Sequence, residues 1–415
     1  MGLSLLALAV GCGGEDPGPD IAGPWRAWLD SPGGELPFEL ELDSGEAGLS
    51  ASIINGKERI TVPGVELNAG RVVMTIDHYD AVIEATLHPD GRTMDGEWRR
   101  TAGPDKVSRL PFHATAGTAP RFASEGTAGS MATIDGRWSV DFESDDLPAV
   151  GLFEADNTGR VTGTFLTSTG DYRFLAGRID GDRLRLSVFD GAHAFLFDAR
   201  LREDGALEGD FWSRDTWHET WTARKDPGAM LADPFSQTRW IDGAELGQAR
   251  FPDLNGTPRS LDDPAFAGKA RLLVVFGSWC PNCSDLTEYL VELDRRYRDR
   301  GLSILGLAFE MTGNFQRDAD QVRTYAAHHG IEYPLLLAGL ADKDEASRAF
   351  PLIDRVRSYP TTIFLHGDAR VRAVHSGFTG PATGEAYSQL RSRFESLIEE
   401  LLTGVAGTSG PPAAG

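Results

Sequence analysis

Sulfur is scarce in this chain: Cys12, Cys280 and Cys283 are the only cysteines among 415 residues. So few exclude a small secreted fold held together by disulfides. Long apolar runs are missing as well; none reaches 18 residues, which excludes an ordinary transmembrane helix. Positive charge is short, with 40 Lys and Arg against 62 Asp and Glu and a net charge of -22. A surface this acidic excludes most nucleic-acid binding, because phosphates need basic partners, and it disfavours electrostatic docking on anionic lipid. Glycine, in contrast, is plentiful at 48 residues. It supplies the positive φ of tight turns and points to a turn-rich β region. The 41% hydrophobic and 25% charged content is that of a globular protein. At roughly 100 to 200 residues per domain, two or three domains are expected.

A repeat fills the first half. Ile21-Ala22-Gly23-Pro24-Trp25 is echoed 113 residues later by Ile134-Asp135-Gly136-Arg137-Trp138, and Gly96 is echoed at the same offset by Gly209. A constant offset implies duplication. Val72, Met74 and Ile76 in one copy, and Leu184, Leu186 and Val188 in the other, alternate with polar residues as half-buried strands do. Asp90-Gly91, Asp180-Gly181, Asp190-Gly191 and Asp204-Gly205 mark hairpins. About eight strands per unit predict two antiparallel barrels or sandwiches, over 21–117 and 133–226, joined by a Gly-, Ala- and Thr-rich linker. The Gly-x-Trp opening is similar to lipocalin-like barrels, in which the Trp plugs one end. Barrels of this size can also hold one small ligand.

At the N-terminus the apolar run Leu3 to Val10 has the length of a signal-peptide core. Ala9-Val10-Gly11-Cys12 resembles a bacterial lipobox, with Ala9 where Leu is usual. The resemblance implies a signal peptide over 1–12, lipidation of Cys12, and a tether over 13–20 that leaves the membrane to the lipid alone.

From Arg271 the texture changes. Leu272-Leu273-Val274-Val275-Phe276 reads as a strand buried on both faces. Gly277-Ser278-Trp279-Cys280-Pro281-Asn282-Cys283 follows, and then Leu286, Leu290, Leu293 and Tyr297 recur at helical spacing. The C-x-x-C therefore sits at a strand-to-helix junction, with a β-α-β-α-β-β-α order ending near residue 403 and a short tail over 404–415. At a helix N-terminus, free N–H groups and the helix dipole stabilise a thiolate. Cys280 holds that first, exposed position; Pro281 suits the first turn; Cys283 lies one turn on, within reach of a mixed disulfide on Cys280. Zinc would need a second pair of ligands, which the sequence does not offer. Covalent haem would need His where Ser284 stands. No metal and no cofactor are expected.

Trp279-Cys280-Pro281-Asn282-Cys283 with Tyr359-Pro360-Thr361-Thr362, and Phe251-Pro252-Asp253-Leu254-Asn255-Gly256-Thr257 as an opening strand and turn, resembles the TlpA/ResA-like thiol-disulfide oxidoreductases of the thioredoxin fold. The resemblance covers about 248–403. It implies that Cys280 attacks and Cys283 resolves, that Trp279 shields the site, and that Pro360 is a cis-proline. Tyr359, Trp279 and Pro281 would then form the substrate-binding face. Thioredoxin carries a buried Asp where this chain has Val274; the TlpA/ResA-like proteins place a Glu after the following strand, and Glu310 matches it. A carboxyl group raised by burial there could relay protons. His328 and His329 read as helix-end residues that favour the dipole.

The fold class expected is thus multidomain: duplicated antiparallel all-β units followed by an α/β thioredoxin-like domain, the redox motif depending on none of the β units. The function expected is an extracytoplasmic protein disulfide reductase on the periplasmic side of a Gram-negative-type envelope. Its partners would be protein disulfide substrates and a membrane thiol electron donor. A thioredoxin-fold peroxidase, or a ligand-binding envelope lipoprotein with a redox-sensing domain, are the alternatives.

Overall fold

A computed structural model of the chain describes residues 20–46, 48–124 and 134–404. Cys12 and the expected signal peptide lie outside the described residues. No described helix is long and apolar enough to cross a membrane.

Alternation closes the first half into barrels. In Gly23–Ser31, Trp25, Ala27 and Leu29 are buried, with Arg26 and Trp28 between them less so. Each of eight strands pairs antiparallel with the next, and Lys106–Ala116 returns to pair with Gly23–Ser31, which leaves no free edge. In the second copy Ala149–Ala155 pairs with both Gly136–Phe142 and Arg160–Thr167, closing a second ring of eight strands. The two-residue strand Gly170–Asp171 is appended to it.

The duplication is visible in the contacts. Trp25 Nε1 donates to Ile21 O at 2.9 Å, and Trp138 Nε1 donates to Ile134 O at 2.8 Å. A Cβ on Gly96 would stand 2.0 Å from Glu84 O, and one on Gly209 2.3 Å from Asp198 O. Both glycines permit the same close approach of neighbouring backbones. Aromatic rings fill the second barrel: Phe197 stacks on Phe211 at 4.4 Å, and Phe165 meets Phe142 at 5.4 Å and Trp221 at 5.2 Å.

The two barrels share a core, since Phe189, Ala192, Ala194 and Leu196 of the second pack into the first. Arg121, in the segment read as a linker, is buried and clasps both. It donates to Pro37 O and Ile54 O at 2.9 Å and to Ser187 Oγ at 3.1 Å.

The C-terminal domain is a five-stranded sheet in the order Leu335–Leu340, Leu302–Glu310, Ala270–Phe276, Thr361–His366, Val371–Ser376. The first three strands run parallel and the last two antiparallel. Around the sheet lie four helices: α1 (Pro281–Tyr297), α2 (Phe315–His329), α3 (Lys343–Ala349) and α4 (Glu385–Thr403). The hairpin Arg250–Pro252 with Pro258–Ser260 precedes them. The fold class is as the sequence predicts, with a fifth strand and α3 beyond the predicted order.

The barrels do not stand apart from this domain. Gln321 Nε2 of α2 donates to Asp77 O at 2.9 Å, and His328 stacks on His78 at 3.8 Å. Arg173, from the second barrel, is buried between Glu58 of the first barrel and Asp285 of α1, with Asp190 at 3.6 Å. One guanidinium therefore ties three domains together.

Candidate functional site

The buried strand Ala270–Phe276 ends at Gly277, and the chain turns directly into α1. Cys280 is the N-cap of α1, Pro281 the first helical residue, and Cys283 lies inside the first turn. Both thiols are free. The Cys283 N–H donates to Cys280 Sγ at 3.3 Å, and Cys280 Sγ donates to Tyr359 O at 3.5 Å. The Tyr359–Pro360 bond is cis. Trp279 packs edge-on against Tyr359 at 5.3 Å and donates through Nε1 to Phe309 O at 2.9 Å. The structure thus brings Trp279, Cys280, Pro281, Cys283, Tyr359 and Pro360 to one place.

Glu310 joins them from the end of Leu302–Glu310. It is 2% exposed. Its Oε1 accepts from Ser278 N at 2.9 Å and its Oε2 from Ser278 Oγ at 2.7 Å. Burial pushes its carboxyl up to about 8, against the pull of those two hydrogen bonds. Burial also pushes the Cys283 thiol well above its ordinary range. The hydrogen bond to Cys280 adds to that rise, and so, more weakly, does the charge of Glu310.

Three expectations need correction. Cys280 is not exposed: only 6% of it reaches solvent. The cavity above it is lined by Arg100 of the first barrel and by Thr169, His193 and Arg214 of the second. The motif also leans on the barrels directly. Arg100 Nη2 donates to Trp279 O at 3.2 Å and Arg173 Nη1 to Pro281 O at 3.4 Å. Nor are His328 and His329 plain helix ends. His329 Nε2 lies 3.0 Å from Ser284 Oγ in α1, and His328 covers His78. Burial holds His329 down to about 3 and His78 to about 4, so both are neutral at pH 7.

Residues 241–390 match the family model described as Redoxin. The C-terminal domain is a redoxin domain. That makes the chain an oxidoreductase. The redoxin domain is also similar to curated proteins. Thioredoxin-like protein YneN of Bacillus subtilis is 26% identical over 136 residues, 33% of this chain and 72% of the relative. Thiol-disulfide oxidoreductase ResA of Bacillus cereus is 25% identical over 133 residues, 31% of this chain and 66% of the relative. A solved thioredoxin-family thiol:disulfide interchange protein from Chlorobium tepidum is 23% identical, with a TM-score of 0.28. It covers 39% of this chain and 99% of that one.

Sequence reasoning missed the residues that the barrels bring to the redoxin domain: Arg100, Arg173, His193 and Arg214. Only Arg100 lies on a strand; Arg173, His193 and Arg214 sit in connections between strands, whose sequence does not say what their side chains meet. Ser278 and Asp285, which flank the C-x-x-C, hold Glu310 and Arg173 in turn.

Proposed function

We propose that this protein is an extracytoplasmic thiol-disulfide oxidoreductase that works through the Cys280 and Cys283 dithiol and acts as a reductase. One observation carries the reading: Cys280 Sγ sits at the start of α1, 3.3 Å from the Cys283 N–H and 3.5 Å from Tyr359 O beside the cis-proline. Relatives named thiol-disulfide oxidoreductase support it. In this mechanism the Cys280 thiolate, which can accept the Cys283 N–H, attacks one sulfur of a substrate disulfide. The Cys283 thiolate then attacks Cys280, frees the second substrate thiol and leaves an intramolecular disulfide. Tyr359 O and the Trp279 ring border the substrate chain. A membrane thiol donor returns the two electrons, and a lipid on Cys12 keeps the protein within its reach. The working units are 21–117, 133–226 and 248–403.

Turnover of a peptide disulfide by the full-length chain, with dithiothreitol as donor, tests the reading. Thiol release well above the donor alone supports it; release at the donor's own rate contradicts it. For the anchor, intact mass of membrane-extracted protein is expected to show a diacylglycerol adduct on Cys12. An unmodified Met1 terminus would rule the anchor out.

Glu310 acts in the second step. With its carboxyl near 8 it gains the charge needed to take the Cys283 proton as pH rises through that value. Glu310→Gln should slow resolution by on the order of 10²-fold and leave initial attack nearly intact. The wild-type resolution rate should climb through a step near pH 8 that the variant lacks. Stopped-flow pH profiles of both half-reactions check this; an unchanged profile would remove Glu310 from the proton path.

A further inference from the structure

The cavity over Cys280, about 270 Å³, is lined by three cations and no carboxylate. Arg100 comes from the first barrel, Arg214 from the second, and Lys343 from the start of α3. Among the described residues none of the three forms an ion pair. Arg100 spends its donors on the carbonyls of Thr101, Ala192 and Trp279. Asp215, next to Arg214, is taken by Ser108 Oγ.

Several polar atoms in this wall are buried without a partner: Arg214 Nε, Asn282 Oδ1 and Tyr359 OH. Arg214 is held in the left-handed region at φ 59, where a side chain of its kind is strained. Burial, and then the charge of Arg214, hold Arg100 down to about 10. Two guanidinium groups thus line one cavity, Arg100 buried and Arg214 half-buried. An unpaired buried charge is costly, and a carboxylate that accepts from both would relieve it. That such a cluster exists in a chain of net charge -22 makes it more telling.

We infer that the cavity selects disulfides flanked by carboxylates, a carboxylate of the substrate lying against Arg100 and Arg214 while its sulfur meets Cys280. The inference rests on the thiol-disulfide reading above and names the substrate class of that site. A disulfide of this kind can belong to a free small molecule or to an extended acidic peptide segment. In the reaction the Cys280 thiolate attacks one substrate sulfur, the substrate S–S bond breaks and the first substrate thiolate leaves. Cys283 then displaces the second. The protein loses two electrons and two thiol protons, which appear on the two substrate thiols.

Single-turnover oxidation of the reduced full-length protein by three disulfides of similar size tests the inference. These are 3,3′-dithiodipropionate, bis(2-hydroxyethyl) disulfide and cystamine, which are anionic, neutral and cationic. Each rate is divided by that of the same disulfide with free dithiothreitol, which removes intrinsic reactivity. At low ionic strength the anionic compound should exceed the neutral one by about tenfold or more, and cystamine should be slowest. The ratio should collapse towards one in 0.5 M salt, as screening requires, and in Arg214→Gln and Lys343→Gln. Equal normalised rates for the three, or cystamine fastest, would overturn the inference while leaving the thiol-disulfide reading in place. Failure of every disulfide to oxidise Cys280 would overturn both. Peptide disulfides with Asp and Glu, or with Lys, beside the cysteine separate the sources. A preference for the acidic peptide points to peptide segments, and one confined to the small compounds points to a free disulfide.

Discussion

Cys280→Ser is expected to abolish disulfide reduction, whereas Cys283→Ser should stop the reaction halfway, with substrate held covalently on Cys280. The asymmetry follows from where the two sulfurs sit. Cys280 lines the cavity and has the Cys283 N–H at 3.3 Å to receive its charge. Cys283 is fully buried, and its thiol is pushed well up by that burial. A thiol that is both covered and hard to ionise makes a poor first nucleophile. It resolves well only when a mixed disulfide is presented beside it. Non-reducing gels with mass spectrometry of the trapped adducts measure the effect. Adducts on Cys283 in Cys280→Ser, formed as fast as those on Cys280 in the other variant, would mean that the roles are reversed.

The largest effect on stability is expected at Arg173. Its guanidinium pairs with Glu58 and Asp285 and lies 3.6 Å from Asp190, all of them buried. Even with the arginine present, burial holds Asp285 up to about 8 and raises Glu58. Arg173→Met would remove the charge that compensates Asp190, whose carboxyl is held low, and that compensates Asp285 and Glu58 as they ionise with rising pH. Removing one partner of such a buried pair costs about 3–5 kcal/mol. The sign with pH follows: carboxyl groups raised in the folded state favour folding at low pH and oppose it as pH rises through their folded values. The deficit should therefore be largest at pH 8 and shrink towards pH 5, as Asp285 and Glu58 take up protons. Urea unfolding at the two pH values checks it. Since Arg173 ties the barrels to α1, the loss should also appear as a separate, earlier release of the redoxin domain. An unchanged midpoint at pH 8 would show that the cluster does not hold the domains.

What the sequence made legible was whatever has a period or a spacing. Strand alternation and the 113-residue echo announced two antiparallel β units, barrel or sandwich, and the contacts of Trp25 and Trp138 repeat accordingly. The C-x-x-C between a wholly apolar run and a helical stripe announced the strand-to-helix junction. Helix α3 was not legible, because Ala346 is its one buried residue and so it carries no apolar stripe. The start of α2 was hidden in the same way by the polar run Gln316-Arg317-Asp318, although Asn314 caps it by accepting from Arg317 N at 3.1 Å. The roof over Cys280 was invisible for a different reason. Arg100, His193 and Arg214 lie far from the motif in the chain; alternation says only that Arg100 belongs to a strand, and His193 and Arg214 sit at strand ends where no period applies. The linker, read from its small residues, concealed Arg121, whose role depends on carbonyls that come from both barrels.

The central claim is that Cys280 and Cys283 form one reversible dithiol couple. It is tested most directly by equilibrating the full-length protein in glutathione buffers of graded potential, trapping free thiols with a mass-tagged alkylating reagent, and reading each cysteine by mass spectrometry. A single two-electron transition, in which Cys280 and Cys283 lose their label together and regain it together on reduction, is the predicted result. Thiols that stay labelled at every potential, or a Cys280 that oxidises only as a mixed disulfide with glutathione while Cys283 remains labelled, would contradict it.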